Sequence, residues 1–263
     1  MKINVTTWNV NGIRARIENV LEWIDNNNPD VLCLQEIKCL EEDFPNELFT
    51  SKGYNVYLLG QKSFNGVAII SKFVSQDTKK NIPGNTSDIQ SRMIECTFNI
   101  NSKSIKVCCI YLPNGNPIDT EKFTYKIEWM DKLKNYIEKE LLKEIPYIAL
   151  GDFNVIPTRD DAKNYEEWVD DALFNKLSIR KYRELINIGL YDCHILKQIP
   201  LKQYTQWDYQ RGAWQNNNGV RIDHILLSSY ATKYLSDYQI DKNERSKDKP
   251  SDHVPVTATL TID

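Results

Sequence analysis

The spacing of apolar residues limits this chain to an α/β fold. Short runs that are apolar throughout, or that alternate with polar residues, are typical of strands. Such runs occupy residues 2–8, 31–36, 54–59, 66–71, 92–99, 104–111, 147–151, 220–227 and 254–261. Three other segments, 14–26, 120–142 and 178–188, repeat apolar side chains at helical spacing. Ser178 and Gly189 bound the last helix in a capping pattern. The mixed order of strands and helices predicts sheets covered by helices.

The composition predicts one globular domain over residues 1–263. No linker rich in Gly, Ser or Pro divides the chain, and no repeat is present. With 41% hydrophobic and 26% charged residues, the chain has an ordinary globular balance. No apolar run approaches the roughly 18 residues of a membrane span. The first residues lack the apolar stretch of a signal peptide, which indicates an intracellular chain or a secreted one whose leader was removed. Reduced thiols favour the cytoplasm, and we expect no membrane contact.

The cysteines and the net charge limit the kinds of metal site and ligand that the chain can have. Six cysteines are too sparse for a disulfide scaffold, which favours a reducing compartment. No CxxC pair is present, so a zinc site is not expected. A net charge of −3 does not by itself indicate a nucleic-acid binder. Basic residues beside the polar segments described next could still form a local phosphate-binding face: Arg14, Arg16, Lys38, Arg92, Lys122, Arg211 and Arg221.

Acidic, amide and imidazole side chains follow several of the predicted strands. They are Glu36, Asp152, Asn154, Asp223 and the pair Asp252-His253. Loops beyond strand ends are where a rigid scaffold directs side chains to a common point. Carboxylates meeting there would repel one another unless a divalent cation neutralised them. The pattern therefore predicts an oxygen-ligated Mg²⁺ site for breaking phosphodiesters.

Single segments leave alternatives open. Asp152 and Asn154 could hold a water, with the acid taking its proton, or they could end the strand in an Asx-turn. For Glu36, a cation and a salt bridge to Lys38 have comparable weight. Asn9 could orient a carboxylate, contact phosphate or bind the ion.

The segment around Asp252 and His253 lies between two prolines, Pro250 and Pro255. Prolines favour an irregular backbone in which neighbouring side chains can face one site. A histidine held by a second carboxylate, such as Asp223, would donate to a phosphate oxygen. Alternation places His224 in the core instead.

Six segments taken together resemble the exonuclease III family of the endonuclease/exonuclease/phosphatase superfamily. They are WNVNGIRAR, PDVLCLQEIK, IYLPNGNP, GDFNVIP, WDYQRGAWQNNNGVRIDHILLS and SDHVPV, which follow in family order along nearly the whole chain. The resemblance implies a four-layer α/β sandwich like that of deoxyribonuclease I, in which helices flank two packed mixed sheets.

The same resemblance implies roles for individual residues. Glu36, Asn9 and Asp252 would lie at a Mg²⁺ ion, which Mn²⁺ could replace, and Asp152 and Asn154 would bind a second ion if there is one. Tyr111 would hydrogen-bond the scissile phosphate, Asp152 and Asn154 would activate water, and Asp223 and His253 would bind the phosphate.

The implied activity is that of a DNA repair nuclease, and a monomer is the default expectation for the chain. Its substrates would be double-stranded DNA with apurinic/apyrimidinic (AP) sites or with recessed or blocked 3′ ends. The products of its 3′→5′ exonuclease and AP-endonuclease activities would carry a 3′-hydroxyl. The candidate DNA contacts are Arg92, Asn114, Lys122, Trp207, Arg211, Trp214 and Arg221. Gln206 departs from the family, whose members carry an aromatic pocket wall there, and Trp207 or Trp214 could serve instead.

Two other readings stay open. The same scaffold could serve a phosphoinositide phosphatase, a sphingomyelinase or an RNA nuclease, since fold does not fix function. The chain could also be a binding module without catalytic activity.

Overall fold

The computed structural model describes residues 1–263. Its strands are β1 Lys2–Asn9, β2 Val31–Gln35, β3 Asn55–Leu59, β4 Val67–Ser71, β5 Ser75–Lys80, β6 Met93–Ile100, β7 Lys103–Tyr111, β8 Tyr147–Asp152, β9 Leu190–Asp192, β10 Asp223–Ser228, β11 Leu235–Ile240 and β12 Val256–Thr261. The α-helices are α1 Ile13–Asn27, α2 Asn46–Thr50, α3 Glu121–Leu141, α4 Lys176–Asn187, α5 Cys193–Leu196 and α6 Ser229–Thr232. Short 3₁₀ helices cover Glu41–Asp43, Arg159–Asp161, Tyr165–Trp168 and Lys242–Ser246.

The strands form two six-stranded sheets, with the orders β11-β12-β1-β2-β4-β3 and β5-β6-β7-β8-β10-β9. Both sheets are mixed, because β1–β2 and β7–β8 are parallel pairs and the other pairs are antiparallel. The largest apolar cluster joins side chains of both sheets and fills the space between them. Apolar side chains of α1 cover the outer face of the first sheet, and those of α3 and α4 cover the second. The predicted four-layer sandwich is confirmed.

The predicted strands are present, and three further strands were not predicted. Those three, β5, β9 and β11, are all edge strands. An edge strand needs no continuous apolar sequence, because it pairs on one side only. The sequence of β5, SQDTKK, is polar and largely exposed, so it carries no apolar pattern that would predict a strand. The prediction for 220–227 begins three residues early, since regular pairing starts at Asp223.

Helix α4 also differs from the prediction at its start. Asn175, rather than Ser178, caps the helix by accepting a hydrogen bond from the Leu177 N–H at 2.9 Å. Ser178 is buried inside the helix. Gly189, with φ 111°, follows the end of the helix as predicted. None of the helices is long and apolar enough to cross a bilayer.

The sheet topology brings the predicted site segments to one edge of the sandwich. Parallel pairing aligns the ends of β1 and β2, and likewise those of β7 and β8. Antiparallel pairing sets the first residue of β10, Asp223, opposite the last residue of β8, Asp152. The segment Ser251–Pro255 enters β12 beside β1 at the same edge.

Candidate active site

Side chains from both sheets line one cavity of about 290 Å³ at this edge. The lining residues are Glu36, Tyr111, Asn114, Asn116, Asp152, Asn154, Trp168, Asp171, Leu173, Gln206, Asp208, Ile222, Asp252 and His253. A larger cavity, of about 470 Å³, lies between Tyr182 and His194 and contains none of these side chains. The convergence of polar groups, rather than cavity size, therefore identifies the candidate site.

Asn9, at the end of β1, connects two of the acids. Its Nδ2 donates to Glu36 Oε1 at 2.8 Å and to Asp152 Oδ2 at 3.0 Å, while its Oδ1 accepts from the Asn11 N–H at 3.0 Å. Asn9 is fully buried, so these bonds fix the amide. Asn9 thus joins the two sheets and separates two carboxylates that would otherwise repel each other.

Glu36 follows β2 in a left-handed backbone conformation, with φ 53°. This conformation costs roughly 1–2 kcal/mol for a residue other than glycine, and such strain often occurs at functional sites. Its Oε1 accepts from Tyr111 Oη at 3.0 Å, and its Oε2 forms an ion pair with Lys38 at 2.7 Å. The salt bridge considered for Glu36 is therefore present. Burial, followed by the charge of Glu36, raises the pKa of Tyr111 well above its usual value, so its hydroxyl keeps its proton.

Asp152 is the last residue of β8, Asn154 lies in the turn after it, and both side chains line the cavity. Asp152 Oδ1 accepts from the Asn154 N–H at 2.9 Å, which is an Asx-type bond, and Asn154 has φ 47°. The Asn154 amide donates to the Leu112 carbonyl at 2.9 Å and accepts from Asn114 at 3.1 Å. Burial raises the pKa of Asp152 to about 7, with His253 opposing and Asp223 and Glu36 adding to the shift. A carboxyl that titrates near neutrality can either accept or supply a proton.

Asp223 and His253 form a buried pair. His253 Nδ1 lies 2.9 Å from Asp223 Oδ2, and His253 Nε2 lies 3.8 Å from Asp152 Oδ2. Burial alone would lower the pKa of His253, but the carboxylates of Asp223, Asp252 and Asp152 raise it well above its usual value. The imidazole is therefore held as a cation whose Nε2–H can be donated to an anion.

Asp252 completes the cluster from the segment before β12. Its Oδ1 accepts from Asn11 Nδ2 at 3.1 Å, and its Oδ2 accepts from Gln206 Nε2 at 3.3 Å. Burial would raise the pKa of Asp252, but His253 and these hydrogen bonds lower it. Asp252 therefore stays ionised at neutral pH.

The donor set suits a hard cation. No three His, Cys, Asp or Glu side chains form a preformed metal cluster, because amides of Asn9, Asn11 and Gln206 separate the acids. Mg²⁺ is commonly bound by one or two carboxylates and completes its shell with water and substrate phosphate. Glu36 and Asp252, both facing the cavity, match that requirement with oxygen atoms alone.

The predicted DNA contacts fall into two groups, and the first lies at or near the cavity. Asn114 lines it. The Arg92 guanidinium lies 5.0 Å from the centre of the Tyr111 ring. Arg211 is exposed in an adjoining depression that shares Trp168, Asp171, Gln206 and Asp208 with the cavity. Lys122 is exposed in the first turn of α3 and does not line the cavity.

The second group does not line the cavity. Trp207 and Arg221 are buried, so the predictions for these two residues are wrong, whereas Trp214 is half-buried and stays a prediction. Trp207 is fully buried, and its Nε1–H donates to Asn217. Trp214 packs edge-on against Trp207, with ring centres 4.9 Å apart, and lines neither depression. Arg221 is 2% exposed and bonds to Asp161 at 2.6 Å and to Asp192 at 2.7 Å. Trp207 thus fills a small core against which Trp214 packs, and Arg221 neutralises two buried acids. Trp8 in β1 and Trp23 in α1 are core residues, as predicted.

Several side chains at the site were not predicted from the sequence, and three of them are Trp168, Asp171 and Lys126. Trp168 and Asp171 line the cavity, and Lys126 is buried directly behind it. Trp168 and Asp171 belong to the irregular stretch between β8 and α4, where no periodic pattern reveals a residue's direction. Lys126 lies in the amphipathic helix α3, where a lysine by itself looks like a surface residue. Its helical spacing from Phe123 and Met130, which places it on the apolar stripe, is the signal that could have found it.

Comparison with known proteins agrees with the fold and with the resemblance seen in the sequence. A sequence model described as the Endonuclease/Exonuclease/phosphatase family matches residues 6–253. Exodeoxyribonuclease III of Haemophilus influenzae is 32% identical over 260 residues, 96% of this chain and 97% of that protein. The DNA repair nuclease APEX1 of Danio rerio is 29% identical over 99% of this chain and 83% of that protein.

Two solved structures extend the likeness to the fold. The 3′ phosphatase NExo from Neisseria, bound to a product DNA hairpin, has a TM-score of 0.92 and 33% identity, covering 99% of this chain and 100% of that one. An AP endonuclease from Archaeoglobus fulgidus has a TM-score of 0.91 and 31% identity, with the same coverage. The resemblance predicted from the sequence is confirmed, and the chain belongs to the Endonuclease/Exonuclease/phosphatase family.

Proposed function

We propose that residues 1–263 form one catalytic domain, a divalent-cation-dependent DNA repair nuclease that hydrolyses phosphodiesters of double-stranded DNA. The observation that carries the proposal is the convergence of Asn9, Glu36, Tyr111, Asp152, Asn154, Asp223, Asp252 and His253 around one cavity edge. Relatives of 29–32% identity that are named as DNA nucleases or AP endonucleases support the choice of DNA.

In the proposed reaction, water attacks phosphorus in line with the departing 3′ oxygen. Asp152 accepts the proton of that water or, alternatively, protonates the leaving oxygen, and Asn154 fixes the water's orientation. The Nε2–H of His253 and the hydroxyl of Tyr111 donate to phosphate oxygens, where negative charge increases in the transition state. Glu36 and Asp252, with Asn9 beside them, would hold Mg²⁺, or Mn²⁺ in its place; Asp152 and Asn154 would be ligands if two ions bind. When bound, the ion would supply positive charge that offsets the negative charge of the reacting phosphate.

The proposed substrates are duplexes with AP sites and duplexes with recessed or blocked 3′ ends, with products ending in a 3′-hydroxyl. The cavity walls Trp168, Leu173 and Ile222 offer apolar surface for a sugar without a base, and Gln206 and Asp208 supply a polar side. We further propose that the protein acts as a monomer in the cytoplasm, and its six free, buried cysteines agree with a reducing compartment.

The test uses three labelled duplexes: one with a central AP-site analogue, one undamaged with a recessed 3′ end, and one ending in a 3′-phosphate. Each is incubated with Mg²⁺, with Mn²⁺ and with EDTA, and the new 3′ end is identified. Metal-dependent cleavage that leaves a 3′-hydroxyl supports the proposal. An inositol phosphate and an RNA are assayed in parallel. If they are hydrolysed and none of the duplexes is cleaved, the result favours the other substrate classes.

Removal of a 3′-phosphate is a second candidate function. A specific observation favours it, because the Neisseria relative NExo is described as a 3′ phosphatase and is 33% identical over nearly the whole chain. The 3′-phosphate duplex in the same experiment measures it, since the release of phosphate without shortening of the strand distinguishes this activity from exonuclease digestion.

A further inference from the structure

Lys126, on α3, is a buried lysine whose only hydrogen-bond acceptors are main-chain carbonyls. Its side chain is 0% exposed. Its Nζ donates to the carbonyl oxygens of Asn154 at 2.6 Å, Asn114 at 3.0 Å and Ala172 at 3.2 Å. The three carbonyl acceptors match the three N–H donors of an ammonium, although burial lowers the pKa of Lys126 to about 7. A buried charge costs free energy unless such bonds compensate it, so this arrangement calls for an explanation.

The three carbonyls belong to three separate segments of the cavity wall. Asn114 lies in the loop between β7 and α3, Asn154 in the turn after β8, and Ala172 in the irregular stretch before α4. The side chains of Asn114, Asn154, Asp171 and Leu173 line the cavity. Lys126 is therefore the point at which these three segments are joined from behind.

Further contacts show how closely these segments depend on one another. Asn114 donates to Asn154 Oδ1 at 3.1 Å, and Asn116 donates to Asp171 at 3.0 Å. Gly115, with φ 88°, approaches so closely that a Cβ there would lie 2.5 Å from Lys126 Cδ. A change in the Lys126 side chain would therefore reach the cavity through Asn154 and Asn114.

We propose that Lys126 is a positioning residue for hydrolysis, which acts by fixing the main chain of Asn154 and thereby its amide side chain in the cavity. The proposal rests on the proposed function, in which Asn154 orients the attacking water. Near-attack geometry is sensitive to displacements of about 1 Å, which can cost about 10²-fold in rate. Loss of the ammonium frees the Asn154 carbonyl and should therefore reduce kcat more than it weakens DNA binding.

The primary test measures kcat and KM on the best duplex substrate for Lys126→Met, with the folded fraction determined from urea unfolding. We expect kcat per folded molecule to fall roughly 10- to 100-fold, with KM changed less than about threefold. Lys106→Met is the matched control, because Lys106 is also a buried lysine but pairs with Glu95 and Glu140 away from the cavity. That control should lose stability and keep its kcat per folded molecule.

A double-mutant cycle separates positioning from a general structural role. In an Asn154→Ala background, Lys126→Met should cost less than about threefold in kcat, because the side chain that it positions is already absent. An equal loss in both backgrounds, or a Lys126→Met variant with full kcat, would overturn the proposal. Lys126→Gln, which keeps two N–H donors, replaces the Met variant in the same cycle if the Met variant does not fold. A wild-type protein that cleaves no DNA duplex would instead count against the proposed function.

Discussion

Asp152 and Asp223 are direct neighbours across the antiparallel pair of β8 and β10, and His253 bridges them. Two buried carboxylates this close would repel each other, and the imidazole supplies the positive charge between them. Hydrogen bonding to Asp223 through Nδ1 leaves Nε2 directed toward Asp152 and the cavity. The pairing of β8 with β10 in one sheet, and the segment before β12 in the other, thus bring Asp152, Asp223 and His253 together as one acid–imidazole–acid unit.

Replacement of His253 tests this unit first. His253→Ala removes the cationic N–H donor, and loss of one such positioned donor typically costs about 10²–10³ in rate. We expect a kcat loss of that size on an AP-site duplex, with little change in the circular dichroism spectrum. The matched control is His194→Ala, also buried but in the larger cavity. Near-normal turnover by folded His253→Ala would refute the assignment.

Asp152→Asn tests proton transfer while keeping the side chain's size. An amide cannot accept or release the proton, so we expect kcat to fall by at least about 10²-fold. Binding of uncleaved duplex, measured by fluorescence anisotropy with Ca²⁺, should be retained. If the Asp152→Asn variant cleaved DNA at the wild-type rate, Asp152 could be neither the general base nor the general acid.

Glu36→Gln tests the cation site. The substitution removes a charged oxygen ligand and the partner of Lys38, so half-maximal activity should require roughly tenfold more Mg²⁺. A magnesium titration of initial rates gives this value, and EDTA should abolish the wild-type activity. The exposed Glu42→Gln serves as the control. An unchanged magnesium dependence of the Glu36→Gln variant would exclude Glu36 as a ligand.

Arg221→Met tests the corrected role of Arg221. Loss of the guanidinium leaves Asp161 and Asp192 buried without a charge partner, which typically costs about 3–5 kcal/mol. Urea unfolding should show that decrease in the free energy of unfolding, whereas exposed Arg211→Met should change it by less than about 0.5 kcal/mol. A DNA contact would give the opposite result, with weaker binding and unchanged stability.

The stability of the protein should depend on pH through His194. Burial lowers the pKa of His194 from 6.5 to about 4 in the folded state. Between these values the unfolded chain binds more protons than the folded one, so the free energy of unfolding should decrease as the pH falls from about 6.5 to about 4. Urea melts at several pH values measure this slope. His194→Gln should reduce the slope, and an identical slope in the variant would contradict the argument.

Much of the site could be read from the sequence because buried strands carry a strong pattern. Alternation and apolar runs locate β1, β2, β8 and β10, and the polar residues at their ends are those that meet in the cavity. Edge strands such as β5 lack that pattern, because one-sided pairing imposes weaker demands on the sequence.

Other features depend on contacts between distant segments and could only be found in the structure. From the sequence, Arg221 and Trp207 were predicted to contact the substrate. In the structure, Arg221 neutralises two acids that are distant in sequence, and Trp207 fills a core. Conversely, the buried position of Lys126 is evident only in the structure, where its Nζ donates to the main-chain carbonyls of Asn114, Asn154 and Ala172.

The chain's local patterns thus determine its strands, its helices and the polar residues at their ends, because periodicity and capping act over a few neighbouring residues. Whether a given charged side chain faces solvent, substrate or a buried counter-charge is decided by residues tens to hundreds of positions away. Burial and pairing arise only when the two sheets pack, and that is the step at which tertiary structure separates the cavity from the core.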